Sequence, residues 1–302
     1  MELNSTKYTV AIIGGDERQS AVAKYFRDRG HKIYTSNSFC TSTDDEYTNE
    51  MNAVHQSDII ILPLPCTKDS VHLSGICGDC VALHDLLTES PDRQKYILGG
   101  KIPKTFYDSA NKSGYKVFDY FEDEELQQKN ALPSAEGALM VCMENTKKTI
   151  YGSSFGIIGY GRIGKILSNI IQQLGGKTTV FLRNQAVADE ISALGYDTFI
   201  LEDNQGTTYS EKFAKRLSGL DVVFNTVPAK IIKKETIKKI TDKPIIIELA
   251  SSPGGIDTEG ARIYSLPVIY APSLPGRYAP ESAGQYIALT VCDILSKNGI
   301  TV

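Results

Sequence analysis

The chain has 302 residues, of which 41% are hydrophobic and 23% charged, with a formal net charge of −4. That is the composition of a folded globular protein long enough for two domains, and a pI near 5.7 gives no electrostatic reason to expect nucleic acid or an anionic membrane surface as a partner. No apolar run approaches the roughly 20 residues of a membrane span, and MELNSTKYTVAIIGG lacks the basic region and long apolar segment of a signal peptide. The six cysteines show no small-domain disulfide spacing, so reduced thiols in a cytoplasmic protein are expected.

In chain order, residues 8–13 read as a strand running into glycines, and 20–29 as an amphipathic helix ended by Gly30. Further strands follow at 31–35, at 58–62 before Pro63 and Pro65, at 95–98 before Gly99 and Gly100, and at 116–118. Strands alternating with helical stretches imply a parallel α/β sheet. The first turn, GGDER, sets Asp16 where a pyrophosphate would need N–H groups and no negative charge, so no dinucleotide is expected there. Residues 122–129 are a charged, exposed segment, and Leu132-Pro133 is read as a break. Residues 134–149 form a helix with Ser134 as its N-cap, carrying the chain into a second sheet.

That second sheet centres on FGIIGYGRIGK, residues 155–165. A short apolar strand runs into Gly159, Gly161 and Gly164, and helical spacing resumes at 166–174. The first glycine allows the tight turn, the second lets backbone approach a pyrophosphate, and the third lets the helix pack on the strand with its N–H groups aimed at the anion. Tyr160, Arg162 and Ile163 complete the loop. Strands are expected at 155–158, 178–182, 198–200, 222–225, 244–249 and 268–270, and 282–296 is a long amphipathic helix that packs back on the first domain. The fold class is α/β with two doubly wound parallel-sheet domains. A flavodoxin-like domain comprises 1–131 with 281–302, and a Rossmann NAD(P)-binding domain comprises 132–280, the layout of the formate and glycerate dehydrogenases.

Cofactor choice turns on the end of the second Rossmann strand, where an NAD-preferring fold carries an acid for the ribose 2′-OH. Here VFLRN sets Arg183 and Asn184 at that point, and a guanidinium can grip a 2′-phosphate bidentately, so NADP is expected. Thr226, Val227 and Pro228 follow the fourth Rossmann strand, and Ala250 and Ser251 follow the fifth. Both groups lie at carboxyl ends of strands, where open sheets bind ligands.

Of the chargeable residues, Arg18 follows the first turn and Arg277 lies in SLPGRYAP; both are expected to face an interdomain cleft and bind a substrate carboxylate. Asp16 lies beside Arg18, and Glu136, at the start of the crossover helix, is a candidate base. The histidines, His31, His55, His72 and His84, all precede the Rossmann unit. This disfavours the activity, though not the architecture, of D-2-hydroxyacid dehydrogenases, which need a histidine later in the chain. Cys66, His72, Cys77, Cys80 and His84 form a C-x5-H-x4-C-x2-C-x3-H pattern whose irregular spacing is read as reduced thiols without metal.

VAIIGGDERQ (10–19), IILPLP (60–65), LPSAEGALM (132–140), GIIGYGRIGK (156–165), FNTVPA (224–229), ELASSPGGID (248–257) and APSLPGRYAPESAGQ (271–285) together resemble the A-subunit family of dipicolinate synthase from spore-forming bacteria, in order and over nearly the whole length. The resemblance implies oxidation of a dihydrodipicolinate-type dicarboxylate to dipicolinate with NADP as hydride acceptor. It also implies a flavoprotein-like partner (the B subunit of the synthase) and expression in the mother cell during sporulation; separately, a homo-oligomer is expected. Arg277-Tyr278 departs from the smaller apolar pair the family leads one to expect, and the Cys/His pattern is not something the resemblance explains. Two other readings share the cofactor residues: another NADP-linked oxidoreductase of a small carboxylate, and a non-catalytic NADP-binding component.

Overall fold

The computed structural model describes residues 7–36, 42–75, 81–87, 91–202 and 207–302. They form two compact units, Met1–Asn130 with Pro275–Val302, and Ala131–Leu274. The return to the first unit falls between Leu274 and Pro275, ahead of Pro280.

The first unit contains β1 (Thr9–Ile12), α1 (Arg18–Arg27), β2 (Lys32–Thr35), β3 (Glu46–Tyr47), α2 (Glu50–Gln56), β4 (Ile59–Ile61), β5 (Tyr96–Gly99), α3 (Lys104–Lys112) and β6 (Lys116–Asp119). Its sheet is parallel throughout, in the order β3-β2-β1-β4-β5-β6. The five longer strands keep the flavodoxin-like order, and β3 adds a short outer edge. That edge was not expected from the sequence, because its residues, Glu46 and Tyr47, are both exposed and carry no apolar alternation. Successive strand residues point to opposite faces, so Val10 and Ile12 enter one core and Ala11 and Ile13 the other. The first core is closed by Val22 and Phe26 of α1 and, from the far end of the chain, by Ile287, Val291 and Leu295.

His31, at the mouth of β2, is buried; its Nδ1 accepts from the Tyr8 N–H at 3.2 Å, and its Nε2 has no hydrogen-bond partner among the described residues. Burial, helped by the charges of Arg29 and Lys7, holds its pKa below the ordinary 6.5. The unfolded chain therefore binds more protons than the folded one just below that pH. The stability that neutral His31 contributes is complete above about 6.5 and is lost as pH falls toward the lowered folded value. Urea unfolding at pH 7.5 and 5.5 is expected to show a smaller acid-induced loss in His31→Gln than in the parent; equal losses would remove His31 as the cause.

A long helix, α4 (Glu124–Asn145), follows, and here the structure corrects the sequence reading. Pro133 lies inside the helix, Ser134 is an interior residue and not a cap, and the segment from 124 is helical. A proline in a helix interior costs roughly 3 kcal/mol. Burying Ala131, Ala135, Ala138, Leu139, Val141 and Cys142 on one side of α4 outweighs that local penalty.

The second unit continues with β7 (Ser154–Ile158), α5 (Arg162–Gln173), β8 (Lys177–Leu182), α6 (Gln185–Ala193), β9 (Asp197–Ile200), α7 (Thr207–Ser218), β10 (Val222–Asn225), α8 (Lys234–Ile237), β11 (Ile245–Glu248), α9 (Thr258–Ile263) and β12 (Val268–Tyr270). This sheet is also parallel, in the order β12-β11-β10-β7-β8-β9, the doubly wound Rossmann arrangement with its switch point beside β7. Ile158, Phe181, Val223 and Ile246 build one core with Phe213 and Leu217 of α7, whereas Val180 and Leu182 face Ala188 and Ile191 of α6. After β12 the chain makes α10 (Leu274–Tyr278) and ends in α11 (Pro280–Lys297). Among the described residues no helix is long and apolar enough to cross a membrane.

Candidate functional site

The carboxyl end of β7 is shaped by its three glycines, each for a different physical reason. Gly159 has φ +95°, and a Cβ there would lie 2.5 Å from Thr226 Oγ1 and 2.7 Å from Val227 Cγ2. Thr226 locks this turn by donating both its N–H and its hydroxyl to the Ile158 carbonyl, at 3.0 and 2.9 Å. A Cβ on Gly164 would meet the Gly159 carbonyl oxygen at 2.1 Å, so only glycine lets α5 pack this close to the turn. Gly161 is different: it is the N-cap of α5 in extended backbone, and a Cβ there would meet nothing within 4 Å. Open space therefore lies in front of Gly161 and the first N–H groups of α5, which suits a pyrophosphate.

Around this cradle, Tyr160 is half-buried with its ring edge-on to Tyr196, and burial raises its phenol pKa. Lys165 holds its ammonium 5.6 Å from the Tyr160 ring. Arg162 opens α5, Ile163 is half-buried, and Arg183 is exposed directly after β8. Asn184 already has a structural task, accepting from the Val187 N–H at 3.3 Å as the N-cap of α6. Nothing in this donor set conflicts with a phosphorylated dinucleotide: the loop has space at Gly161, backbone donors at α5 and cationic side chains at both strand ends.

The loops after β10 and β11 are knitted together beneath by a buried pair that sequence reasoning did not single out. Asn225 donates from Nδ2 to Glu248 Oε1 at 2.6 Å, and Glu248 is 3% exposed. Glu248 also accepts from the Ala250 N–H at 3.1 Å and the Gly255 N–H at 2.9 Å. Ala250 is half-buried, while Ser251 and Pro228 are exposed. The available signal was the acid closing the apolar run PIIIE, since a carboxylate in a central strand of a parallel sheet needs buried donors.

In the first unit, Asp16 and Arg18 form a bidentate ion pair: Arg18 Nε donates to Oδ1 at 2.7 Å and Nη2 to Oδ2 at 2.8 Å. Nη2 also donates to the Leu64 carbonyl at 2.5 Å, and Arg18 is 6% exposed. This pair leaves Nη1 outside its bonds. Gly276 packs against the same carboxylate, where an added Cβ would lie 2.3 Å from Asp16 Oδ2. Asp16, Arg18 and the residue next to Arg277 are thus brought together at the carboxyl end of β1, although Arg277 itself is exposed with its guanidinium 4.8 Å from the Tyr278 ring. Over the Gly14-Gly15 turn, Leu73, Ser74 and Gly75 fill the space a nucleotide would need; a Cβ on Gly75 would lie 1.8 Å from the Gly15 carbonyl oxygen. Glu136 is exposed on α4, in the second unit.

Of the Cys/His pattern, Cys77 and Cys80 lie outside the described residues. Cys66 is buried, and desolvation lifts its thiol pKa to about 12. His72 is paired on the surface with Asp69 at 2.6 Å, and His84 is exposed. Among the described residues no group of three or more His, Cys, Asp or Glu is placed to hold a metal ion.

Residues 9–121 match the family described as the N-terminal domain of the dipicolinate synthase A subunit. The whole chain is 27% identical over 300 residues to the dipicolinate synthase A subunit of Bacillus subtilis, covering 97% of each. Along its length the chain is thus similar to dipicolinate synthase A subunits, and its first third matches their N-terminal domain family. The crystal structure of the Bacillus subtilis protein superposes with a TM-score of 0.78 at 27% identity, covering 97% of both chains. That of the dipicolinate synthase A subunit from Bacillus halodurans gives 0.81 at 24%, covering 97% of this chain and 98% of that one. At the level of fold alone the likeness extends to D-lactate dehydrogenase from Escherichia coli, with a TM-score of 0.58, 14% identity, and 97% and 98% coverage.

Proposed function

We propose that this chain is an NADP-dependent oxidoreductase that converts dihydrodipicolinate to dipicolinate, acting with a B subunit in the cytoplasm of a sporulating mother cell. The observation that carries this reading is an open glycine cradle at Gly161, followed by Arg183 in place of an acid, in a chain that matches the dipicolinate synthase A subunit along 97% of both sequences. NADP+ would supply the two-electron acceptor for the hydride. The dihydropyridine ring loses that hydride and one proton, and aromaticity of the product drives the step. What remains for the protein is to hold two carboxylates, orient the ring and take the proton.

We assign carboxylate binding to Arg277 and Arg18, with Asp16 fixing the plane of the Arg18 guanidinium so that Nη1 is preorganised. Glu136 is assigned the proton, since an exposed carboxylate needs no buried partner to act as a modest base. Arg18→Ala, Arg277→Ala and Glu136→Gln are each expected to lower kcat/KM for dihydrodipicolinate by at least about tenfold, or about 1.4 kcal/mol, with the Kd for NADP unchanged. Dipicolinate formation is followed by ultraviolet absorbance, with and without the B subunit. Turnover near the parent level in one variant removes that residue from its role. Tight NADP binding without any turnover, in either condition, would instead favour a non-catalytic role.

A further inference from the structure

Glu248 ends β11 inside the second unit, and among the described residues three donors converge on its carboxylate. Oε1 takes the Asn225 Nδ2–H at 2.6 Å and the Ala250 N–H at 3.1 Å, and Oε2 takes the Gly255 N–H at 2.9 Å. A carboxylate is the one side chain of this size that accepts at both oxygens without presenting a donor of its own. The Asn225 amide is itself held, donating to the Val227 carbonyl at 3.0 Å and accepting the Val227 N–H at 3.3 Å. A Cβ on Gly255 would lie 2.2 Å from Asn225 Nδ2, so the loop closes directly over the pair. Gly255 then accepts from the Ile231 and Ile232 N–H groups, both at 2.9 Å, tying the loop after β11 to the segment after β10. One buried carboxylate thus sets the course of residues 225–227 and 249–255 together.

The position of these loops in the sheet says what they serve. A doubly wound sheet binds a dinucleotide across its switch point, one mononucleotide to each half. The glycine cradle and Arg183 follow β7 and β8, the half that begins the fold; the Glu248 loops follow β10 and β11, the other half. We infer that Glu248 is a positioning residue for the nicotinamide half of the cofactor site, acting through the loops at 225–227 and 249–255. The inference rests on the dinucleotide reading of this unit, and it adds a residue whose effect is confined to one end of the ligand.

The test uses the full chain and two probes, NADP+ and 2′,5′-ADP, the latter carrying only the adenosine half with its 2′-phosphate. In Glu248→Gln an amide N–H must face the Gly255 N–H or the Asn225 amide, so the loop shifts. The expected result is a Kd for NADP+ raised about tenfold or more with that for 2′,5′-ADP within about twofold, as lost hydrogen bonds to a charged group imply. Glu248→Asp, which keeps the charge, is expected to recover part of the NADP+ affinity. Gly255→Ala, whose methyl would press on Asn225 Nδ2 and displace the loop from the Glu248 carboxylate while leaving that side chain in place, should repeat the selective loss and serves if Glu248→Gln does not fold. Unchanged NADP+ binding in folded Glu248→Gln, or equal weakening of both probes, overturns the inference alone. Failure of the parent chain to bind either probe overturns the dinucleotide reading beneath it.

Discussion

Gly161→Ala is expected to raise the Kd for NADP by at least about tenfold while costing no more than about 1 kcal/mol of stability. The backbone there is extended, at φ −82° and ψ −163°, so alanine adopts it without strain. The new methyl meets no protein atom within 4 Å and projects into the open space ahead of α5. Loss of affinity would then come from the ligand side, by denying close approach of phosphate to backbone. Gly164→Ala supplies the contrast. Its methyl would lie 2.1 Å from the Gly159 carbonyl oxygen, which belongs to a turn fixed by Thr226, so α5 must move off β7. Overpacking of this kind costs about 1–3 kcal/mol, and nucleotide binding falls with it. Calorimetric titration with NADP and thermal melting of both variants separate the two effects. Parent-like NADP binding in Gly161→Ala would show that no phosphate approaches this turn.

Arg183→Ala is expected to weaken NADP by about 10- to 100-fold and NAD by less than about threefold. The lost interaction is a charge-assisted hydrogen bond to phosphate, worth roughly 1.5–3 kcal/mol. Arg183 is exposed and its neighbour Asn184 independently caps α6, so thermal melting of the variant is expected to stay close to the parent. The measurement is the ratio of kcat/KM for the two cofactors, or of their Kd values if turnover needs the B subunit. A ratio that does not move would mean that Arg183 does not read the 2′-phosphate. Raising the salt concentration should narrow the NADP preference of the parent more than that of the variant, because an exposed charge pair is screened.

The parts of this molecule that were readable without coordinates share one property: their cause is local. Gly164 answers to the Gly159 carbonyl five residues away, the spacing of the three glycines is itself local, and the period of two within residues 9–12 assigns two faces from four letters. The helix α4 was misread at Pro133 because a proline's penalty is local whereas the burial that outweighs it is not. The strand β3 has no pattern to find, being two exposed residues held by β2 alone.

Composition, periodicity and motif spacing determined the α/β class, the strands of both sheets other than β3, and the place of the glycine turn after β7. Only the tertiary structure decided what the charged residues do with one another. Asp16 and Arg18 read as two separate candidates until Leu64 and Gly276, far away in the chain, closed around their pair. Glu248 read only as part of the strand expected at 244–249 until Asn225, Ala250 and Gly255 converged on its buried carboxylate. Hydrophobic pattern is a property of consecutive residues, so it survives in one dimension. The state of a buried charge depends on which donors surround it, and those are gathered from strands that only folding makes neighbours.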